Sequence, residues 1–166
     1  MQRTDRGELR LRAEVGRADV AAVREITAAT RFFRADEVDV AAELVEERLA
    51  RGEASGYHFL FADAGASAAG YACFGPIACT VSSFDLYWIA VHPSFQGRGV
   101  GTLLIREAER RVAEMGGTRV YVETSSKAAY ASTRAFYDAR GYRTEAVLED
   151  FYAPGDGKVI FVRQVG

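Results

Sequence analysis

The chain of 166 residues has the length of one ordinary domain, and its 49% hydrophobic and 27% charged residues are typical of a globular protein that folds without a partner. With 21 Lys and Arg against 23 Asp and Glu, its net charge of -2 gives no positive field to hold a phosphodiester backbone, so we expect no nucleic acid partner. No segment has the apolar core of a signal peptide or the ~20 apolar residues of a membrane span, so we expect a soluble cytoplasmic protein with no membrane partner.

The first third of the chain is predicted to form one short strand and two helices. Leu9 and Leu11 alternate with charged residues, which is the period of a strand with one buried face. Asp19 is expected to cap a helix, and a second helix is expected from about Asp36 to Arg51. Gly52 is expected to end this second helix, because Gly readily adopts the backbone conformation that follows a helix.

Three strands are predicted next, in the segments YHFLFAD, AAGYACFG and SFDLYWIAVHP. Short separating segments rich in Gly, Ala and Ser indicate an antiparallel meander. The two cysteines, Cys73 and Cys79, lack the spacing of zinc ligands, and we expect no metal site. Both are interpreted as small buried core residues rather than reactive thiols.

The remaining elements are a helix, a strand, a helix and a final hairpin. The first of these helices is expected from about Gly99 to Met115, with Leu104 and Met115 on its buried face. The strand TRVYVET follows, then a helix over about 128–140, then YRTEAVLEDFY and KVIFVRQV joined by the turn APGDG. The order β-α-α-β-β-β-α-β-α-β-β predicts a single mixed α/β domain over residues 1–166, with a partly antiparallel sheet.

A glycine-rich loop containing Gly97, Gly99 and Gly101 joins the third predicted strand of the meander to the following helix. Glycines let several backbone N–H groups approach an anion, and the positive end of the helix adds to the attraction, so the loop predicts a phosphate site. Arg98 can supply a full charge. A dinucleotide fingerprint would require glycine in place of Thr102, and a P-loop would require lysine after the glycines. A loop in which the glycines serve only the turn is the remaining alternative.

The run Gln96-Gly97-Arg98-Gly99-Val100-Gly101 matches the R/Q-x-x-G-x-G/A signature of the GNAT superfamily of N-acetyltransferases. The preceding strand, ending in IAVHP, and the later segment ASTRAFYDARGY also resemble that family, in which an aromatic-Tyr pair precedes a helix-ending Gly-aromatic pair. The order of elements agrees over nearly the whole chain. The resemblance implies a GNAT-like α/β fold, with a mixed central sheet of about seven strands flanked by about four helices.

The same resemblance implies transfer of an acetyl group from acetyl-coenzyme A to the amine of a small molecule or peptide, by direct attack in a ternary complex. Backbone groups of Ile89, Ala90 and Val91 are expected to hold the pantetheine, where the fourth and fifth strands diverge. The pyrophosphate is expected at the amides of the loop, which comprises Gln96, Gly97, Arg98, Gly99, Val100, Gly101 and Thr102.

Asp85 lies, counting back from Gln96, at the position where some family members carry a general-base glutamate. An alkylamine has a pKa near 10 and must lose a proton before it can attack. Asp85 is one methylene shorter than glutamate, so the hypothesis includes a bridging water. The alternative is a strand carboxylate that caps a neighbouring N–H. Packing and surface roles are expected for Tyr87 and His92, two further candidates near this strand.

Tyr137 matches the position of the family's tyrosine acid, which protonates the departing thiolate. The alternative is a core aromatic whose hydroxyl is bonded elsewhere. Tyr130, two helical turns earlier, is expected on the same face as Tyr137, where many relatives carry a cofactor-binding Asn. Ser132 or Thr133 is expected to replace that contact.

The acceptor is bounded in relatives by the segment between the first two helices, here about 31–37, and by the final hairpin around Glu149 to Pro154. Neither segment identifies the amine. The alternative function is a GNAT-like module that binds coenzyme A as a sensor or structural ligand without transfer. A homodimer is left open as a further partner.

Overall fold

The computed structural model describes residues 8–166, so the first seven residues of the predicted domain lie outside the described residues. The described residues form seven strands and four helices: β1 (Leu9–Arg12), α1 (Ala18–Ala29), α2 (Ala35–Arg51), β2 (His58–Ala64), β3 (Ser67–Pro76), β4 (Ser83–Val91), α3 (Val100–Glu114), β5 (Arg119–Ser125), α4 (Ala131–Asp138), β6 (Arg143–Ala153) and β7 (Asp156–Gln164). The strands form one sheet in the order β1-β2-β3-β4-β5-β7-β6. The predicted fold class is confirmed.

The described strand pairs of the sheet are antiparallel except for β4 and β5. The pairs β1/β2, β2/β3, β5/β7 and β6/β7 are antiparallel, whereas β4 and β5 run parallel. The parallel register extends from Ser83↔Arg119 to Asp85↔Tyr121, although both strands continue beyond the last pair. The parallel pairing is thus limited to three residues of each strand.

The chain divides into two compact units, of which the first contains residues 8–74 and 88–108. Its core joins buried residues of α1, α2, β2, β3 and the end of β4, among them Val23, Val45, Phe61 and Tyr71. The Tyr71 hydroxyl lies 2.7 Å from the Thr27 hydroxyl, so the one polar end of this core ring has a partner.

Arg12 links β1 to α1 and β2 within the first unit. Its guanidinium donates to the carboxylates of Asp19 and Asp63 at 2.7 Å and lies 4.3 Å from the centre of the Phe61 ring. These interactions raise its pKa further above its usual high range. Asp19 is therefore not the predicted N-cap: Arg17 occupies that position, and Asp19 is buried in the first turn, bound to Arg12 and to the Gly16 N–H.

The second unit contains residues 75–87 and 109–166. Its buried residues include Phe84 and Leu86 of β4, Val120 and Val122 of β5, and Phe161 of β7. Alternation along each strand places these side chains on one face, so Asp85 and Tyr87 point to the other face.

Three predicted details are wrong for local reasons. The helix expected over 128–140 is a 3-10 turn followed by α4, and Tyr130 is the residue before α4, so it does not share a helical face with Tyr137. Met115 lies beyond the end of α3 and is 45% exposed. Cys79 is exposed, in a loop with φ 63°, whereas Cys73 is buried as predicted.

No helix within residues 8–166 combines the length and apolar character that crossing a membrane requires.

Gly70 of β3 sits where another backbone approaches it closely. A Cβ at Gly70 would lie 2.8 Å from the Ala90 carbonyl oxygen, 3.2 Å from Val100 and 3.3 Å from Leu104. The absence of a side chain thus sets the position of the end of β4 and the start of α3, the two elements that flank the glycine-rich loop.

Replacing Gly70 with Ala should lower the free energy of unfolding by roughly 1–3 kcal/mol, because the carbonyl of Ala90 cannot move away without displacing β4. Gly16→Ala is the matched control, since a Cβ there meets its nearest atom at 3.8 Å. Urea unfolding of both variants measures the difference. Equal stability of the two variants would contradict this account of the packing.

Candidate active site

The glycine-rich loop leaves the sheet through a short turn. A 3-10 turn, Pro93–Phe95, follows the end of β4, and its first residue has the fixed φ that suits such a position. Gly97 and Gly99 then adopt φ angles of 71° and 82°, in the left-handed region that side chains disfavour. The backbone path therefore requires glycine at both positions.

The space in front of these two glycines is open. A Cβ at Gly97 or Gly99 would meet no protein atom within 4 Å, and both residues are exposed. Helix α3 begins at the next residue, Val100, and its first turn presents backbone N–H groups that the helix itself does not use. An exposed glycine loop at a helix N-terminus has the chemistry of an anion site, as the sequence predicts.

Side chains on both sides of the turn hold the loop to the strand. Gln96 donates from Nε2 to the Val91 carbonyl at 3.1 Å. The His92 ring accepts from the Ser94 N–H at 3.2 Å, and the His92 N–H donates to the Ala69 carbonyl at 2.9 Å. The ring of His92 thus stabilises the turn, which agrees with a structural role for this residue.

The predicted cofactor-binding residues of the first unit divide into exposed and buried groups. Gln96 to Gly99 are exposed, and the Arg98 guanidinium lies 5.4 Å from the Phe95 ring centre. The side chains of Ala90 and Val100 are 5% and 1% exposed. These two side chains therefore belong to the core and are not available to a ligand.

Asp85 lies on β4 in the second unit, on the face opposite Phe84 and Leu86. Partial burial raises the pKa of its carboxyl to about 6, Glu123 contributes to the rise, and Lys158 opposes it. No residue within 8–166 forms a hydrogen bond or an ion pair with this carboxylate. The alternative of a carboxylate that caps a neighbouring N–H therefore has no contact to support it.

Tyr137 is a buried residue of α4 in the second unit. Its ring lies 5.6 Å from the centres of both the Tyr142 and Phe161 rings. Burial raises the pKa of its phenol, so the hydroxyl is protonated at neutral pH. In the part of the chain that the structure describes, this hydroxyl has no hydrogen-bond partner.

Asp85 and Tyr137 lie on opposite faces of the strands in the second unit. Asp85 pairs with Tyr121, so these two side chains share one face. Phe161 pairs with Val122, the next residue of β5, and its ring packs against Tyr137 on the other face. The structure does not bring the predicted base and acid into contact with each other.

Ser132 is exposed in the first turn of α4, and Tyr130 precedes that turn. Both residues are therefore near the start of the helix, whereas Tyr137 is near its end. The proposed replacement of the family's Asn by Ser132 remains a prediction.

Sequence reasoning missed two charged residues beside Asp85. Glu123 of β5 and Lys158 of β7 form an ion pair with 2.6 Å between Nζ and Oε2. Their proximity to Asp85 depends on the parallel register of β4 and β5, which no short sequence pattern reveals. Among residues 8–166, no group of three or more His, Cys, Asp or Glu side chains is arranged to hold a metal ion.

The family model of the GNAT acetyltransferases matches residues 20–142 of the chain. A GNAT-family protein of known structure from Desulfovibrio desulfuricans is 43% identical, covers 96% of this chain and 100% of its own, and superposes with a TM-score of 0.92. Comparison with curated proteins finds no match.

More distant structures share the fold. The ribosomal-protein-S18-alanine N-acetyltransferase of Escherichia coli is 16% identical, with 96% and 95% of the two chains covered and a TM-score of 0.77. A Salmonella typhimurium protein solved with acetyl-CoA is 20% identical, with 95% and 94% covered and a TM-score of 0.74. At these identities the likeness establishes the architecture alone.

The raised pKa of Asp85 predicts a pH-dependent effect on stability. A carboxyl whose folded pKa exceeds its usual value near 3.8 disfavours folding once it ionises, so stability falls as pH rises from about 4 through 6. Asp85→Asn should therefore raise the melting temperature at pH 8 and have less effect at pH 4.5. The exposed Asp138 of α4, replaced by Asn, is the control. A gain that is equal at both pH values would contradict the environment described for Asp85.

Proposed function

The chain belongs to the GNAT acetyltransferase family, and we propose that it transfers an acetyl group from acetyl-coenzyme A to the amine of a small molecule or peptide by direct attack in a ternary complex. The observation that carries the proposal is the exposed loop in which Gly97 and Gly99, both at positive φ, precede the N-terminus of α3. The test is release of thiol from acetyl-coenzyme A that depends on an added amine.

The residues of the loop fit the pyrophosphate of coenzyme A. Backbone N–H groups over Gln96 to Thr102 donate to its oxygens, and the dipole of α3 favours its negative charge. Arg98 is exposed and adds a full positive charge at the same loop. The open space at Gly97 and Gly99 is where an added side chain would meet the ligand.

The pantetheine is assigned to backbone groups of Ile89, Ala90 and Val91, which lead directly into the loop. The buried Ala90 side chain fixes this backbone to the core of the first unit. The Gln96 side chain donates a hydrogen bond to the Val91 carbonyl and so connects the end of β4 to the loop. When bound, acetyl-coenzyme A supplies the activated thioester that serves as acetyl donor.

Asp85 is the proposed general base. With a pKa of about 6 it is mostly ionised at pH 7.5, yet it is a stronger base than an ordinary aspartate. Its carboxylate has no hydrogen-bond partner within residues 8–166 and is therefore available to an ammonium group or a bridging water. Removing the proton of the acceptor frees the lone pair that attacks.

Tyr137 is the proposed general acid. Its phenol is protonated at neutral pH, and it lies on the face opposite Asp85, so the two proton transfers use different sides of the strands. A thiol has a usual pKa of ~8.5, and a donor near the sulfur assists its departure. Ser132, at the start of the same helix, is assigned to the cofactor.

Gly99→Val should abolish the rise in melting temperature that acetyl-coenzyme A produces, because the new side chain occupies the space in front of the loop amides. Gly65→Val is the matched control, since Gly65 also has a positive φ, 65°, and open space at its Cβ. Both variants bear similar backbone strain, but only the loop variant should lose ligand stabilisation. Full stabilisation of folded Gly99→Val by the ligand would remove the central assignment.

Tyr137→Phe should lower kcat by roughly 10²- to 10⁴-fold where thiolate departure limits the rate, with little change in affinity for acetyl-coenzyme A. Tyr142→Phe, which deletes another buried phenol hydroxyl from the same aromatic cluster, is the control for stability. Turnover, affinity and melting temperature are measured on both. Normal kcat in Tyr137→Phe, with chemistry rate-limiting, would exclude the acid role.

A further inference from the structure

A charged pair faces the same side of the sheet as Asp85 in the second unit. Asp85 is in register with Tyr121, and Glu123 lies two residues further along β5, so its side chain is on the face of Asp85. The Glu123 carboxylate binds the Lys158 ammonium at 2.6 Å. The side chain of Lys158 is only 12% exposed, whereas that of Glu123 is 46% exposed.

Aromatic rings of β6 hold the Lys158 ammonium from another side. Its Nζ lies 3.8 Å from the centre of the Phe151 ring and 5.7 Å from that of Tyr152. A carboxylate and an aromatic face both attract the ammonium, and both restrict where it can lie. Lys158 is therefore a fixed positive charge rather than a mobile surface lysine.

The ionisable groups that face Asp85 form a short set. On β4 itself there is Tyr87, on β5 Tyr121 and Glu123, and on β7 Lys158. Strand β3 carries no charged residue. Of these groups, Glu123 raises the pKa of Asp85 and Lys158 lowers it, so the charged members act in opposite directions.

We propose that the Glu123–Lys158 ion pair is a positioning element for Asp85, in which the held ammonium favours the ionised base and the carboxylate prevents that ammonium from pairing with the base. This inference rests on the proposed function, in which Asp85 is the general base. Glu123 and Lys158 act through Asp85 and need not touch the acceptor or acetyl-coenzyme A.

Removing either charge should shift the pKa of Asp85 in a definite direction. Without the Lys158 ammonium, Asp85 and Glu123 are two like charges, and Asp85 holds its proton to higher pH. Without the Glu123 carboxylate, Lys158 is left to pair with Asp85, which then ionises more readily but becomes a weaker base. Removing both charges together should return the titration of Asp85 close to that of the unmodified protein.

The direct test is ¹³C NMR titration of the Asp85 carboxyl in the protein without ligand. Lys158→Met should raise its pKa by roughly 0.5–1 unit, Glu123→Gln should lower it by a similar amount, and the double variant should restore it. Lys158→Arg, which keeps the cation, should leave it near 6. Lys127 is the only other lysine in the sequence and pairs with Asp156, so Lys127→Met is the matched control and should change nothing.

A second readout separates this inference from the proposed function. The acid limb of the kcat/KM profile should move in the same direction as the NMR titration in each variant. An Asp85 titration unchanged in folded Lys158→Met and Glu123→Gln would overturn the positioning role, whatever the activity. Shifted titrations without amine-dependent thiol release in the unmodified protein would instead overturn the proposed function and leave the electrostatic coupling supported.

Discussion

The close approach of the Ala90 carbonyl to Gly70 is the constraint on which the first unit depends. Because Gly70 has no side chain, the end of β4 and the start of α3 can lie against β3. The Val100 and Leu104 side chains complete the contact. The chain between these two anchored elements is short, so it turns through Gly97 and Gly99 at positive φ. An apolar packing requirement thereby places exposed backbone amides at a helix N-terminus, an arrangement with the chemistry of an anion site.

In the second unit, burial and two neighbouring charges together set the pKa of the Asp85 carboxyl. Asp85 sits on a strand whose other face is fully apolar, and partial burial makes its ionisation costly. The Glu123 carboxylate adds to that cost and the Lys158 ammonium reduces it. With a pKa of about 6, this carboxyl is largely ionised at neutral pH and still a stronger base than an ordinary aspartate, as the proposed general base requires. Tyr137 lies on the opposite face in an aromatic environment that favours the neutral phenol, so at neutral pH the phenol is protonated while the Asp85 carboxyl is largely ionised.

The sequence was sufficient for features that depend on local pattern. Alternation in β1 and β4, the glycines after α2 and α3, and the spacing from Gln96 to Gly101 predicted the elements and the loop because each is set by neighbouring residues. Features set by distant contacts were not predictable. Asp19 does not cap α1 because Arg12 of β1 binds its carboxylate, and the Glu123–Lys158 pair depends on strand register.

We propose that the loop before α3 serves acetyl transfer, rather than only a structural turn or the binding of coenzyme A as a sensor or structural ligand. Mass spectrometry of products after incubation with acetyl-coenzyme A and a broad panel of amines, amino acids and peptides tests it most directly. The account predicts an acetylated amine, formed together with free coenzyme A and absent when Asp85→Asn or Gly99→Val replaces the unmodified protein. Binding of acetyl-coenzyme A without acetylation of any member of the panel would contradict it.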